Sequence, residues 1–325
     1  MKYRKIGRYG TKISVIGLGS YLTIGFKVDI ETSKATVRRA YDAGVNFFDT
    51  ADAYAKGEGE RALGTCLADF ERSSYFLLTK CWAQISDDVN DRGLSAKHIF
   101  EACHKSLDRL GTDYLDCFMC HRPDPDTPLD ETIRALEDLA RQGKILYWGV
   151  SEWPAHLITR ANGIAKAMGA RPAAVSEPRY NLFYRYPERN LFPATDAEGM
   201  GNVVFSALAH GMLTGKYRPG ESAPDGTRAA SDDTNKVMMN LYWKEEYKKR
   251  AQSFATIAEE SGLSPAQLAI AWCLTNPSVT SVISAATKLS QIEDNLGAAD
   301  LELGDDVIAR VEELFPKAET VESER

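Results

Sequence analysis

The chain has 325 residues, 44% of them hydrophobic and 26% charged, with a net charge of −7 and a sequence pI near 5.4. That acidic balance, with no basic cluster, argues against a nucleic-acid partner. The polar start M-K-Y-R-K-I-G-R-Y-G is unlike a secretory leader, and no apolar run approaches the roughly 18 residues of a membrane span. The expectation is a soluble cytoplasmic protein with no membrane insertion. Its length suits an α/β barrel of about 250 residues with additions, here one domain over residues 1–316 followed by a polar tail at 317–325.

In chain order, Lys2 to Ile16 reads as two short β-like pieces around Arg8-Tyr9-Gly10-Thr11, a hairpin ahead of the barrel. Gly17-Leu18-Gly19-Ser20 ends the first barrel strand, and the G-x-G-x-x-G dinucleotide pattern fails at Leu22. Helices are predicted over Glu31 to Ala43, Glu58 to Phe70, Ser95 to Leu110, Leu129 to Gln142 and Pro154 to Met168, most with a glycine stop. Strands are predicted over Ile145 to Val150, Ala174 to Glu177, Asn202 to Ser206 and Ser281 to Ile283. A long loop from Ala209 to Asn240 exceeds a simple connection and suggests a lid over a cofactor. Helices Leu241 to Ser261, Pro265 to Thr275, Leu289 to Gly297 and Asp305 to Phe315 complete the chain. Eight strand-then-helix units make the fold class α/β, a closed (β/α)8 TIM barrel with an N-terminal β-hairpin and a long loop after strand 7.

Three successive strands end on a titratable side chain: Val45 to Phe48 at Asp49, Tyr75 to Thr79 at Lys80, and Leu115 to Cys120 at His121. Tyr54 follows Asp49 by five residues. In a parallel barrel the carboxyl ends of all strands open onto one face, so these four side chains are expected to share a pocket. An ammonium near a phenol makes the phenol a better acid. Asp49 would keep Lys80 charged and fixed, and His121 would orient a carbonyl oxygen or share in proton transfer. A tyrosine acid aimed at a carbonyl is half of a reduction. The other half is a hydride donor, which no side chain supplies, so a nicotinamide cofactor is required.

The six cysteines, in a long chain without a secretion signal, are expected to be free thiols. Cys117-Phe118-Met119-Cys120-His121 spells the C-x-x-C-H of a haem attachment site. On a strand, however, side chains three apart point to opposite faces, which favours structural thiols and a functional His121.

Several motifs, in order, resemble the aldo-keto reductases, and most closely the subgroup containing the β-subunits of voltage-gated potassium channels. They are G-L-G-S at Gly17, F-D-T-A-D-A-Y at Phe48, L-L-T-K at Leu77, H-R-P-D-P-D-T-P at His121, Y-W-G-V-S-E-W at Tyr147 and A-I-A-W-C-L at Ala269. The resemblance implies a catalytic tetrad of Asp49, Tyr54, Lys80 and His121, with Tyr54 as general acid, and NADPH across the barrel mouth. Channel β-subunits carry Asn in place of His121, so the chain looks more like a dedicated enzyme than they do. By the same resemblance Ser20, Tyr21, Asp49, Ser151, Glu152 and Glu177 lie at the cofactor, Ser151 on the carboxamide, with Tyr180 stacking on the nicotinamide. Ser206, Ala207, Leu208 and Ala209, through Gly211 to Lys216, would hold the pyrophosphate. Ala285, Thr287, Lys288, Gln291, Asp294 and Asn295 match the adenosine segment, and Arg228 falls where the subgroup has a cofactor-binding arginine. A cationic Arg228 or Lys288 suits the 2′-phosphate of NADPH.

The sequence departs from the family at three places. Glu177 stands for an amide that reads the carboxamide from both sides, Ala207 for a proline and Ala285 for a glycine. The substrate is expected to be a small carbonyl compound, with Tyr21, Phe26, Trp82 and Trp153 as candidate lining. Two other readings share these residues: a Schiff-base aldolase with Lys80 as nucleophile, against which Asp49 argues, and a nucleotide-binding channel regulatory subunit of low turnover. The resemblance also implies a homo-oligomer, a tetramer by subgroup.

Overall fold

The structure, a computed structural model, describes residues 1–230 and 238–317. Within them β3 (Ile16–Gly19), β4 (Phe47–Asp49), β5 (Phe76–Cys81), β6 (Leu115–Cys120), β7 (Ile145–Ser151), β8 (Val175–Glu177), β9 (Gly201–Val204) and β10 (Val279–Ser284) close into a parallel barrel, β10 pairing back onto β3. The antiparallel hairpin of β1 (Tyr3–Lys5) and β2 (Lys12–Ser14) precedes it. The helices are α1 (Ile30–Asp42), α2 (Glu58–Leu67), α3 (Ala96–Leu110), α4 (Leu129–Arg141), α5 (Ala155–Ala167), α6 (Leu191–Glu198), α7 (Glu245–Glu260), α8 (Pro265–Thr275), α9 (Leu289–Leu296) and α10 (Asp305–Leu314). The expected (β/α)8 barrel and its hairpin are both present. No helix of the described residues is long and apolar enough to cross a membrane.

Period-two alternation sorts the strand side chains into two layers. Phe47, Phe76, Leu78, Cys117, Met119, Val175 and Val203 fill the barrel interior, and Ile6 and Ile13 of the hairpin region join them. Phe48, Leu77, Cys81, Phe118, Cys120, Trp148 and Val204 face outward under the helices. Cys117 and Cys120 therefore lie in different layers, as strand geometry demands of residues three apart. All six cysteines are free and buried.

The helices form where the apolar spacing allows one buried stripe. In α3 that stripe is Ile99, Ala102, Cys103, Leu107 and Leu110; Ser95 Oγ accepts from His98 N at 3.3 Å to start the helix, and Gly111 at φ 66° ends it. Ser264 and Gln267 form a reciprocal capping box on α8. Two elements differ from the sequence reading. Helix α6 was not anticipated, because Leu191 to Glu198 carries no clear apolar period and has a proline in its first turn; its one signal is the stop at Gly199, φ 70°. Helix α7 begins at Glu245 rather than Leu241, since Tyr242 is turned into the core ahead of it. Part of the long loop (231–237) and the tail beyond 317 lie outside the described residues.

Candidate active site

The inner-layer alternation continues past the last apolar side chain of each strand, so the next inward position opens on the mouth. On β4 it passes from Phe47 to Asp49, on β5 from Leu78 to Lys80, on β6 from Met119 to His121, on β8 from Val175 to Glu177 and on β9 from Val203 to Phe205. At the inner end of β3 stands Gly19. A Cβ there would lie 2.7 Å from Ile283 Cγ2 and 3.6 Å from Asp49 Oδ2, so only glycine leaves room beside the carboxylate.

Lys80 is fully buried. Its Nζ donates to Asp49 Oδ1 and, at 3.0 Å, to the Thr50 carbonyl, and it lies 3.3 Å from Glu177 Oε2. Burial works against the ammonium, but Asp49 first and Glu177 second outweigh it and hold Lys80 above its ordinary range. A lysine so charged, buried and held is a poor nucleophile, which removes the main support for an aldolase. Burial raises Asp49, with Lys80 opposing. Burial also pushes Glu177 up to about 8, helped by Asp49 and opposed by Lys80.

Tyr54 follows in a tight turn in which Ala55 and Lys56 take left-handed φ of 50° and 55°. Its ring centroid lies 5.4 Å from Lys80 Nζ, 5.7 Å from the His121 ring and 4.8 Å from the Tyr21 ring. Burial is the larger effect on the phenol and raises it; Lys80 pulls the other way, as the sequence suggested, without prevailing. Tyr54 therefore rests protonated, in the form a general acid needs. Burial, then Lys80 and Arg122, push His121 well below its ordinary range, so its imidazole is neutral and suited to orienting an oxygen. The four side chains proposed from sequence do converge on one mouth.

Around them Ser151 Oγ donates to the Glu177 carbonyl at 3.1 Å and accepts from Arg122 Nη1 at 3.3 Å. Ser20 Oγ donates to Thr50 Oγ1 at 2.8 Å, and Glu152 Oε1 accepts from the Arg179 amide at 2.7 Å. Tyr180 does not join this group. Its ring is in the outer layer, stacked 5.2 Å from Trp272, with its hydroxyl donating to Glu188 Oε1 at 2.7 Å. The aromatic that the alternation brings to the rim is Phe205, half-exposed directly after β9; counting alternate residues from Val203 would have found it. Trp153 is likewise buried in the outer layer, whereas Tyr21 and Trp82 are half-buried and Phe26 is exposed on loops at the mouth.

After β9, Ser206, Ala209 and His210 carry φ of 64°, 47° and 56°, followed by Gly211 at 97° and Gly215 at 74°. Left-handed turns of this kind make concave sets of amide N–H groups, which are anion cradles. The Ser206 Oγ is buried with no hydrogen-bond partner among the described residues. Desolvation by the loop and the like charge of Arg228 pull Lys216 below its ordinary range, although its side chain still reaches solvent. Burial, Arg228 and Arg179 push His210 down to about 3, and Arg228 Nη1 donates to its Nδ1 at 3.3 Å. No carboxylate among the described residues pairs with Lys216 or Arg228. A pocket of like charges and left-handed backbone turns fits a phosphate group.

Beyond β10, the Thr287 amide and hydroxyl both donate to Gln291 Oε1, at 2.9 and 3.1 Å. Asn295 Nδ2 donates to Ser284 Oγ at 2.8 Å, Asp294 Oδ2 accepts from Ser264 Oγ at 2.8 Å, and Lys288 is exposed at the start of α9. Ala285 is half-buried at the end of β10, while Ala207 and Ala209 are buried and Leu208 half-buried in the cradle loop.

The model of the aldo/keto reductase family matches residues 15–315. The chain belongs to the aldo/keto reductase family. This aldo/keto reductase is 40% identical over 305 residues to a probable voltage-gated potassium channel subunit beta of Oryza sativa subsp. japonica, covering 93% of this chain and 92% of the relative. It is 39% identical, with the same coverage, to a protein of the same name in Arabidopsis thaliana. A putative voltage-gated potassium channel subunit beta of Schizosaccharomyces pombe is 36% identical over 321 residues, covering 96% and 93%. Membership supports an oxidoreductase role for this aldo/keto reductase.

Proposed function

We propose that the protein reduces an aldehyde or ketone to an alcohol with NADPH, Tyr54 acting as general acid. The observation that carries this reading is the convergence at the barrel mouth of Tyr54, Lys80 and His121, the Tyr54 ring lying 5.4 Å from the Lys80 ammonium and 5.7 Å from the His121 ring. The cofactor, when bound, supplies hydride to the carbonyl carbon. The protein's part is to hold the carbonyl oxygen between Tyr54 Oη and the His121 imidazole and to donate the phenolic proton as charge develops on that oxygen. The Lys80 ammonium, fixed by Asp49, steadies the phenolate left behind.

Residues of this chain fit the cofactor. The Ser206–Lys216 loop and Arg228 suit the phosphates, Ser151 and Glu177 the carboxamide, Phe205 rather than Tyr180 the nicotinamide face, and the Ala285–Asn295 segment, Lys288 included, the adenosine end. An apolar, aromatic rim of Tyr21, Phe26 and Trp82 favours an apolar carbonyl substrate.

A second reading follows from the names of the relatives: a nucleotide-binding subunit associated with a channel and turning over slowly. His121 and its neutral state favour the enzyme. Fluorescence titration with NADPH, followed by an absorbance assay over a panel of aldehydes and ketones, separates the two. Binding with turnover supports the reductase, and binding without turnover on any carbonyl supports the subunit.

A further inference from the structure

Glu177 stands at a position where an amide would serve the carboxamide, yet its surroundings give it a second task. Glu177 is 3% exposed, and its carboxyl lies 3.3 Å from Lys80 Nζ, the same ammonium that Asp49 holds. Lys80 is committed to the closer Asp49, and Glu177 Oε2 has no aligned hydrogen-bond partner. The charged and titratable groups facing Glu177 are Asp49 on β4, Tyr54 beyond it, Lys80 on β5, and Cys117 and Arg122 on and after β6. On the other side β9 brings only the apolar Val203 to the inner layer. Tyr54 and Cys117 are both raised by burial and neutral. Arg122 is held on the His121 carbonyl and Ser151 Oγ rather than on either acid, so the groups in contact are two carboxyls and one ammonium, a buried set with one negative charge too many if both acids ionise. Two buried carboxyls that face one ammonium are most stable with a proton on one of them. Asp49 has the direct ion pair, so the proton belongs on Glu177.

A nicotinamide ring is neutral when reduced and carries a positive charge when oxidised. Glu177 closes an inward column at the same rim as Phe205, where the reductase reading, on which this inference rests, seats that ring. We propose that Glu177 holds a proton while the reduced cofactor is bound and releases it when the ring is oxidised, so that the protein's preference for NADP+ over NADPH increases with pH. Reduction consumes one proton per carbonyl, delivered to oxygen by Tyr54. The proton on Glu177, adjacent to Lys80 and Asp49, is a reserve within the site that the oxidised ring no longer favours keeping.

The test is binding, not turnover. Dissociation constants for NADPH and NADP+ are measured by fluorescence or calorimetry between about pH 6 and about pH 10, for the wild type and Glu177→Gln. In the wild type the ratio Kd(NADPH)/Kd(NADP+) should rise with pH by up to about tenfold per unit while one proton is linked; in Glu177→Gln it should stay flat. A flat wild-type ratio, or the same slope in the variant, overturns the proposal. Should Glu177→Gln fail to fold, infrared difference spectra of wild type with 13C-labelled glutamate, NADP+-loaded against NADPH-loaded, must show loss of a protonated carboxyl band; its absence is equally fatal. If neither dinucleotide binds, the reductase reading fails and the redox linkage with it. The proton is then still readable in the unliganded protein. A carboxyl raised in the folded state binds a proton the unfolded chain has lost, so wild-type stability falls as pH climbs from the ordinary value of 4.5 toward about 8, and Glu177→Gln escapes that loss.

Discussion

In the proposed reductase Tyr54 is the phenol at the mouth that has a proton to give and the fixed Lys80 ammonium beside its ring. Tyr54→Phe keeps the ring and its packing against Tyr21 and His121 but removes the proton. Carbonyl reduction should fall by about a hundred- to ten-thousandfold, with NADPH affinity changed only a few-fold; retention of near-normal turnover would remove Tyr54 from the acid role. Lys80 differs, since it is structural as well as chemical. Lys80→Met leaves Asp49 and Glu177 facing each other without a cation. The cost, read by urea denaturation, should be about 3–5 kcal/mol in mildly alkaline solution, where the carboxyls resist protonation. It should shrink as pH falls, because raised carboxyls are destabilising only above their unfolded-state range. A cost independent of pH would mean that the two acids do not depend on this ammonium.

At the scale of elements, the helical ring is set as much by glycines as by apolar stripes. Gly64 in α2 is the clearest case: a Cβ there would lie 2.6 Å from the Leu110 carbonyl oxygen at the end of α3. Glycine to alanine inside a helix ordinarily stabilises by about 1 kcal/mol. Here overpacking should reverse the sign, so that Gly64→Ala lowers the unfolding free energy by about 1–3 kcal/mol. A gain in melting temperature would show that α2 and α3 can separate without penalty. Most elements could be read from the chain because their signals were local: Ser95 and Gly111 bracket α3, and Ser264 starts α8. Helix α6 could not, because it is only eight residues long and its buried face, Leu191, Phe192 and Thr195, includes a polar residue and so leaves no apolar period.

At the scale of the whole molecule, strain is concentrated at one end of the barrel. Leu22, Ala55, Lys56, Glu152, Ser206, Ala209 and His210 carry positive φ between 47° and 64°, and all lie in loops that follow the carboxyl ends of strands. Each costs about 1–3 kcal/mol, a burden the packed barrel can hold and an isolated loop cannot. Lys216 and Arg228, far from the tetrad in sequence, bring positive charge to the same end, with no carboxylate paired to either among the described residues. Alanine at either should weaken NADPH binding by about tenfold or more, the scale of a charge-assisted hydrogen bond. For Arg228, NADH binding should suffer less if its partner is the 2′-phosphate. Equal losses with both dinucleotides would place Arg228 on the pyrophosphate shared by the two.

The sequence by itself determined the class of fold, the order of the barrel strands and which four titratable side chains stand at the barrel mouth. Hydrophobic period, glycine stops and a titratable residue closing three successive strands are local properties, and a parallel barrel has only one face onto which strand ends can open. It did not determine which aromatic reaches the barrel mouth, whether Tyr54 gains or loses acidity, or the state of Glu177. Tyr180 and Phe205 are both aromatic residues just beyond strand ends, and only the inward count along β9 and the outward turn after β8 separate them. The pKa directions depend on how deeply the mouth is buried and on which carboxylate reaches Lys80 first. Those are distances between residues 31 to 128 positions apart in the chain, from Asp49 to Lys80 to Glu177, and only the closed barrel fixes them.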